Sequence, residues 1–375
     1  MRTIEVDTTD KRQVSQFLQL PFRLYRNIPQ WVPPLAGDAA LQLNRKKYPF
    51  YKHSDAAFFL VLDERDEALG RIAVIDNSRY NEYHKERTAH FYLFECENHP
   101  AAAQALFDAA FAWARGRGLD KILGPKSFSP LDGMGLLVKG FDHRPALNIP
   151  YNPPYYADFV EAAGLVGFDD EMSGYLDAKA VQFPERLLRG ADLVSKRYGL
   201  TVTRFKTRND LRPWVPRIHK LYNDSLAGTY GNVPITDDEA KVLSEQILWF
   251  ADPTLIKFIM KGDRPVGFCL GYPDISAALQ RTRGRLFPFG WADILLELRR
   301  TRWINLNGAG IIEEYRGKGG TALLFAELYR SVADNPRYLH ADLVQISSVN
   351  DKMQREVKDL GVDFYKMHRM YQRAL

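Results

Sequence analysis

Two apolar runs flank the polar turn Asp63-Glu64-Arg65-Asp66-Glu67 in AAFFLVLDERDEALGRIAVID (residues 56–76). Apolar runs joined by a short polar turn predict a β-hairpin. A strand follows at His90–Phe94. HPAAAQALFDAAFAWARGRG then places Ala103, Leu106, Phe107, Ala110 and Phe111 at helical spacing before Gly116-Arg117-Gly118. This is an amphipathic helix with a glycine stop. Strand KILGP (121–125) and a long loop lead to a helix over Pro154–Ala163, ended by Gly164. A helix at Pro184–Tyr198 bridges to LTVTRF, and helical patterns follow at Leu211–Leu226 and Asp237–Phe250. The order then recurs: a hairpin turning at Gly262-Asp263, strand RWINLNGAGII, helix Gly319–Ala333, strand LVQISS, helix Asp351–Leu360 stopped by Gly361, and a last strand FYKMHRMYQ. Hairpin, strand, helix, strand, helix occurs twice. That repetition predicts an α+β (mixed α/β) chain of two units of one topology, residues 1–180 and 181–375, with an insertion at 275–303 in the second.

Composition sharpens this picture modestly. The 375 residues are 46% hydrophobic, 13% aromatic and 26% charged, as expected of a globular chain able to fill two cores. Cys96 and Cys269 lie far apart without metal-ligand spacing, so neither a disulfide framework nor a metal site is expected. The reading is a cytoplasmic protein: the N-terminus has no apolar leader, and no window reaches the roughly 18 apolar residues of a spanning helix. A net charge of +5 is spread over a large surface. It does not by itself indicate nucleic-acid binding, which wants a concentrated basic stripe and stacking or recognition elements.

The stretch EYRGKGGTALL (314–324) carries the clearest candidate chemistry. A helix N-terminus leaves backbone N–H groups unpaired, and glycines there let an anion approach without meeting a Cβ. Arg316 and Lys318 add charge and Thr321 a hydroxyl. The spacing is neither that of a P-loop nor that of a dinucleotide fingerprint. A plain flexible turn before an ordinary helix is the alternative.

At these residues the chain resembles the GNAT superfamily of acyl-CoA-dependent N-acyltransferases. The family pattern Arg/Gln-x-x-Gly-x-Gly/Ala corresponds to Arg316, Gly317, Lys318, Gly319, Gly320 and Thr321, with Thr321 the departure. The resemblance implies two tandem units, each a mostly antiparallel sheet flanked by helices with a splayed central strand pair. It also implies that the turn's amides hold the pyrophosphate of coenzyme A or acyl-CoA, that the preceding strand through Gly310, Ile311 and Ile312 runs beside the pantetheine arm, and that Asn350 ends the next strand. Where many members place a tyrosine that protonates the thiolate stands Val357; Tyr365 is a candidate substitute. The N-terminal half has the closing element with Asn152 and Gly164, yet its equivalent turn holds Glu95 and Glu97 and no glycines, so it is expected to lack the cofactor grip. LYRNIPQWVPPL, GRIAVIDN, GPKSFSPLDGMGLLVKGFD, YNPPYY and EYRGKGG, in that order, resemble the two-unit GNAT-like proteins that include bacterial ceramide synthases.

The implied reaction moves an acetyl or longer acyl group from CoA to an amine acceptor, a lipid (sphingoid) base being one case. It needs a deprotonated amine, a polarised thioester carbonyl and a stabilised thiolate. Gly310 or Ile311 can offer an N–H to the carbonyl. His219, Asp224, Glu313 and Glu314 are candidate bases, and Asn305 and Asn307 can orient substrate or cap a strand bulge. In the insertion, Gln280–Trp303 sets six arginines around an apolar group. It reads as a peripheral contact with the inner membrane surface, a lid over an acyl chain, or a helix packed on the domain. A CoA- or lipid-sensing module without turnover is the competing function.

Overall fold

The computed structural model describes residues 1–129, 132–178, 185–228 and 231–375. Among them run strands β1 (Arg2–Glu5), β2 (Asp55–Leu62), β3 (Ala68–Asp76), β4 (Thr88–Cys96), β5 (Lys121–Gly124), β6 (Leu136–Lys139), β7 (Val166–Asp177), β8 (Leu200–Val202), β9 (Ile256–Lys261), β10 (Arg264–Pro273), β11 (Trp303–Ile311), β12 (His340–Ser347) and β13 (Asp363–Ala374). All belong to one sheet of order β1-β2-β3-β4-β5-β13-β7-β12-β11-β10-β9-β8, with β6 branching from β13. Only β4–β5 and β11–β12 are parallel. The hairpin–strand–helix–strand order thus appears twice, once at each end of the sheet.

The middle of the sheet joins the halves by exchange. β13, the last strand of the chain, lies antiparallel to β5, whereas β7 lies antiparallel to β12. β7 and β13 pair with each other from Asp363↔Tyr175 to Gln372↔Val166. The expected boundary at 180/181 and the first residue of the bridging helix, Pro184, fall outside the described residues; the helix itself runs Glu185–Tyr198. β7 was not expected, because GFDDEMSG combines three adjacent acids with two glycines, residues poor in strands. Its neighbours supply what propensity lacks. Arg369 on β13 makes two hydrogen bonds to Asp170, at 2.8 and 3.0 Å, and Ser347 and Ser348 donate to Asp169. Such cross-strand pairs are the unit of sheet stabilisation.

Helices cover both faces. Pro100–Gly116 buries Leu106, Phe107, Ala110 and Phe111 against the N-terminal strands, as the periodicity predicts. Gly320–Ala333 does the same in the C-terminal half through Leu323 and Leu324. Under the junction lies a buried ion pair: Lys366 Nζ donates to Asp342 Oδ2 at 2.6 Å, and the Tyr365 hydroxyl donates to the same oxygen at 2.8 Å. Both charged side chains are nearly fully buried. Removing one partner of such a pair strands the other charge, a loss of about 3–5 kcal/mol, whereas replacing both with apolar residues can be near neutral. Lys366→Met is therefore expected to lower the urea midpoint strongly, and Lys366→Met with Asp342→Leu to restore most of it. Equal losses in the single and double variants would show that the stranded charge is not the cause.

Candidate functional site

β11 and β12 are hydrogen-bonded only from Trp303–Leu306 to His340–Leu343. Beyond that point each strand breaks register against its outer neighbour. β11 bulges between its pairings Leu306↔Gly271 and Ala309↔Cys269, with Gly308 at φ +105°, while β12 shifts between Leu343 and Ile346, with Gln345 at φ +44°. The parallel pair therefore splays. Among the described residues the β12-facing edge of β11 past Leu306 has no strand partner. Ile312 N donates to Val266 O on β10, so strand alternation turns the N–H of Gly310 the same way and those of Ala309 and Ile311 onto the free edge. Of Gly310 and Ile311, Ile311 is the one placed to donate into the splay.

The free edge leads directly to the glycine turn. A short 3₁₀ turn at Glu313–Tyr315 precedes Gly317 (φ +75°) and Gly319 (φ +80°), left-handed conformations that favour glycine. Gly319 caps the helix Gly320–Ala333 without a side-chain hydrogen bond. Leu323 N is the first to bond back, to Gly319 O at 3.2 Å. Among the described residues the N–H groups of Gly320, Thr321 and Ala322 have no acceptor, which is the donor set an anion needs. A Cβ on Gly319 would stand 2.6 Å from Val194 of the helix Glu185–Tyr198, and one on Gly320 would stand 2.8 Å from Ile311. Both glycines serve packing, and Gly319 serves backbone shape as well.

The cations divide their work. Arg316 donates from Nε to Ile311 O at 3.1 Å and from Nη2 to Ser225 O at 2.9 Å, bracing the end of β11 against the helix Val215–Leu226. It shapes the turn. Lys318 lies over the Tyr315 ring at 4.9 Å with its ammonium at the turn. The turn thus suits a pyrophosphate through backbone amides and Lys318.

Other residues singled out in the sequence occupy different places. Ile312 is buried behind the strand. Asn350 accepts from Met353 N at 3.1 Å and caps the helix Asp351–Lys358. Val357 is core. Tyr365 is engaged with Asp342. His219 is held by Ile235 O, Asn223 and Asp237, and Asp224, Glu313 and Glu314 are exposed. None of these four lines the cavities described next. Asn305 donates to Asp274 at 3.5 Å in a buried network, whereas Asn307, at the bulge, donates to the Tyr272 hydroxyl at 2.7 Å.

Between the halves lies a cavity of about 270 Å³. Its N-terminal wall is the second splay, where β4 leaves β5 after His90 and bulges with Leu93 at φ +51°. The arm Trp31–Leu35 forms another side, and Glu239, Val242, Leu243, Arg283 and Arg285 close it from the C-terminal half. An adjoining cavity of about 40 Å³ reaches Tyr272 and Asn307. Asp38 and Asp132 line both. The Ser127 hydroxyl donates to Asp132 at 2.5 Å, and burial pushes the Asp132 carboxyl up to about 6. Burial likewise raises the Tyr272 phenol above its ordinary range, so it stays protonated. Neither residue stands out in the sequence. Asp132 had only an Asp-Gly step as a signal, and Tyr272 reads as an ordinary strand tyrosine.

The corresponding turn of the N-terminal half is closed. His99 Nδ1 accepts from Ala102 N at 3.2 Å, Glu97 pairs with Arg23, and Glu95 accepts from the hydroxyls of Tyr25 and Tyr156. Burial raises the Glu95 carboxyl while Arg71 opposes the rise. This carboxylate is a satisfied structural group.

No protein-family model matches the chain. It is 27% identical over 371 residues to protein YghO of Escherichia coli (strain K12), covering 98% of this chain and 94% of that one. It is also 27% identical over 374 residues to the bacterial ceramide synthase of Caulobacter vibrioides (strain NA1000 / CB15N), with 97% and 95% covered. Among solved structures, a tandem GNAT protein from the clavulanic acid biosynthesis pathway superposes with a TM-score of 0.55 at 12% identity, covering 100% of this chain and 98% of that one. A GCN5-related N-acetyltransferase from Sphaerobacter thermophilus gives 0.51 at 14%, with 99% and 95% covered. The chain has the GNAT fold in its tandem form.

Proposed function

We propose that the protein is an acyl-CoA-dependent N-acyltransferase whose C-terminal half grips the donor, and that its acceptor is the amine of a long-chain lipid base. The observation that carries this reading is the splayed β11–β12 pair running straight into a glycine-lined helix N-terminus that has no side-chain cap. The similarity to a ceramide synthase and the cavity beside the splay support a lipid acceptor.

Acyl-CoA supplies an acyl group activated as a thioester. In this reading the amides of Gly320, Thr321 and Ala322, with Lys318, hold its pyrophosphate, and Ile311 N–H polarises the thioester carbonyl. Asp132 accepts the proton of the attacking amine across the small cavity. Tyr272, oriented by Asn307, is the protonated group beside the leaving thiolate.

The test is release of free CoA thiol from palmitoyl-CoA over a panel of amines, with the amide product measured by mass spectrometry. Equimolar thiol and amide with a long-chain base are expected. Tight donor binding with no thiol release for any amine would favour the sensing module, the reading that the buried Val357 and the engaged Tyr365 favour.

A further inference from the structure

Residues 280–302 divide their apolar side chains between two environments. Ile294 and Leu298 are buried in a cluster with Phe250, Tyr272 and Leu147, which ties the segment to the body of the protein. Phe287, Phe289 and Trp291 point the other way, 80%, 76% and 44% exposed, and Leu295 and Leu296 are each 40% exposed. Half of the ten most exposed large hydrophobic side chains among the described residues therefore sit in one ten-residue stretch. Scattered exposed apolar residues need no explanation, but a contiguous knuckle marks an interaction surface.

Charge indicates the partner. Six arginines against Asp293 and Glu297 leave this segment four positive charges. Arg281 is bound to both acids, whereas Arg285, Arg299, Arg300 and Arg302 have no acidic partner within ion-pair distance among the described residues. The Trp291 indole N–H is satisfied by Pro288 O at 3.1 Å, which frees the ring for an apolar environment. Aromatic rings flanked by unpaired arginines match the interface of an anionic bilayer. A second copy of this chain is a poor occupant, because a two-fold contact would set arginine against arginine.

Position links this surface to the cavity. Arg283 and Arg285 are exposed and also line the cavity, so they stand at its rim. Gly284 O accepts from Ala36 N at 2.9 Å, and a Cβ on Gly284 would stand 2.1 Å from Pro34 O, so the knuckle's base is locked to the arm that walls the cavity. We propose that Phe287, Phe289 and Trp291, with Arg285, Arg299 and Arg300, dock the protein on an anionic lipid bilayer and turn the rim of the cavity toward it. Entry of a lipid into that cavity rests on the acyl-transfer reading; the docking does not.

Cosedimentation with vesicles of phosphatidylcholine containing one-third phosphatidylglycerol, and with pure phosphatidylcholine, tests the docking. The protein is expected to bind the anionic vesicles about tenfold or more tightly than the neutral ones, and added salt should weaken that binding. Phe287→Asp with Phe289→Asp should abolish binding without lowering the melting temperature, since neither ring is packed in the core. Arg299→Glu with Arg300→Glu should remove the preference for anionic vesicles. In both variants calorimetric acetyl-CoA affinity should be unchanged, so a docking failure is separable from a donor-site failure. Absence of vesicle binding by the unmodified protein, binding retained in the Phe variant, or loss in that variant of self-association in place of vesicle binding would each overturn the proposal.

Discussion

Thr321→Glu is expected to reduce acyl-CoA affinity by on the order of a thousandfold while leaving the melting temperature unchanged or slightly raised. Thr321 is the second residue of the helix Gly320–Ala333, and its N–H is one of the unpaired donors. A carboxylate there occupies the proposed anion site and repels the pyrophosphate. One such charge pair at 4 Å costs about 4 kcal/mol at an effective dielectric of 20. The same carboxylate favours the helix N-terminus by about 0.3–1 kcal/mol, so affinity and stability move in opposite directions. Gly319→Glu does not separate them, because its Cβ meets Val194 in a left-handed backbone and the resulting strain lowers stability for reasons unrelated to the donor. Calorimetric titration with acetyl-CoA and a thermal melt on the same sample check the prediction. Unchanged affinity would remove the turn from the site.

Asp132→Asn is expected to lower the rate constant of acyl transfer by about 10²–10⁴, the usual worth of a positioned general base, with donor affinity unchanged. The pH profile distinguishes a base from a structural residue. A carboxyl must be ionised to accept a proton, and burial sets that of Asp132 at about 6. Below this pH the wild-type rate should fall with a logarithmic slope of two, one from protonation of the acceptor amine and one from Asp132. The asparagine variant should fall with a slope of one at every acidic pH. Identical slopes would assign Asp132 a packing role with Ser127.

Much of this organisation is written in local patterns. The hairpins, the helices Pro100–Gly116 and Asp237–Phe250, and the glycine turn follow from periodicity and glycine placement within windows of about 20 residues, where physical signals are strongest. What escaped depends on contacts between distant parts of the chain. β7 carries too many acids and glycines to read as a strand, and it forms because Arg369 and the Ser347-Ser348 pair meet its charges from either side. The exchange of β7 and β13 is a choice of partners that no single segment encodes. Arg316 stands at the arginine of the pattern the chain resembles, but only the fold places carbonyls of Ile311 and Ser225 within its reach. Asp132 and Asn307 lie far apart in sequence and share a wall only because the halves close on each other. The candidate bases read from the sequence were polar groups in suitable segments, and tertiary structure turned His219 into a brace and left the acids in solvent.

In the proposed function the donor lies along β11 and the C-terminal glycine turn, and outside the closed turn of the N-terminal half. Amide hydrogen exchange with and without acetyl-CoA measures this directly. Added protection is expected at residues 309–311 and 317–322 with none at 97–102; protection at 97–102 with none at 317–322 would put the donor in the N-terminal half instead.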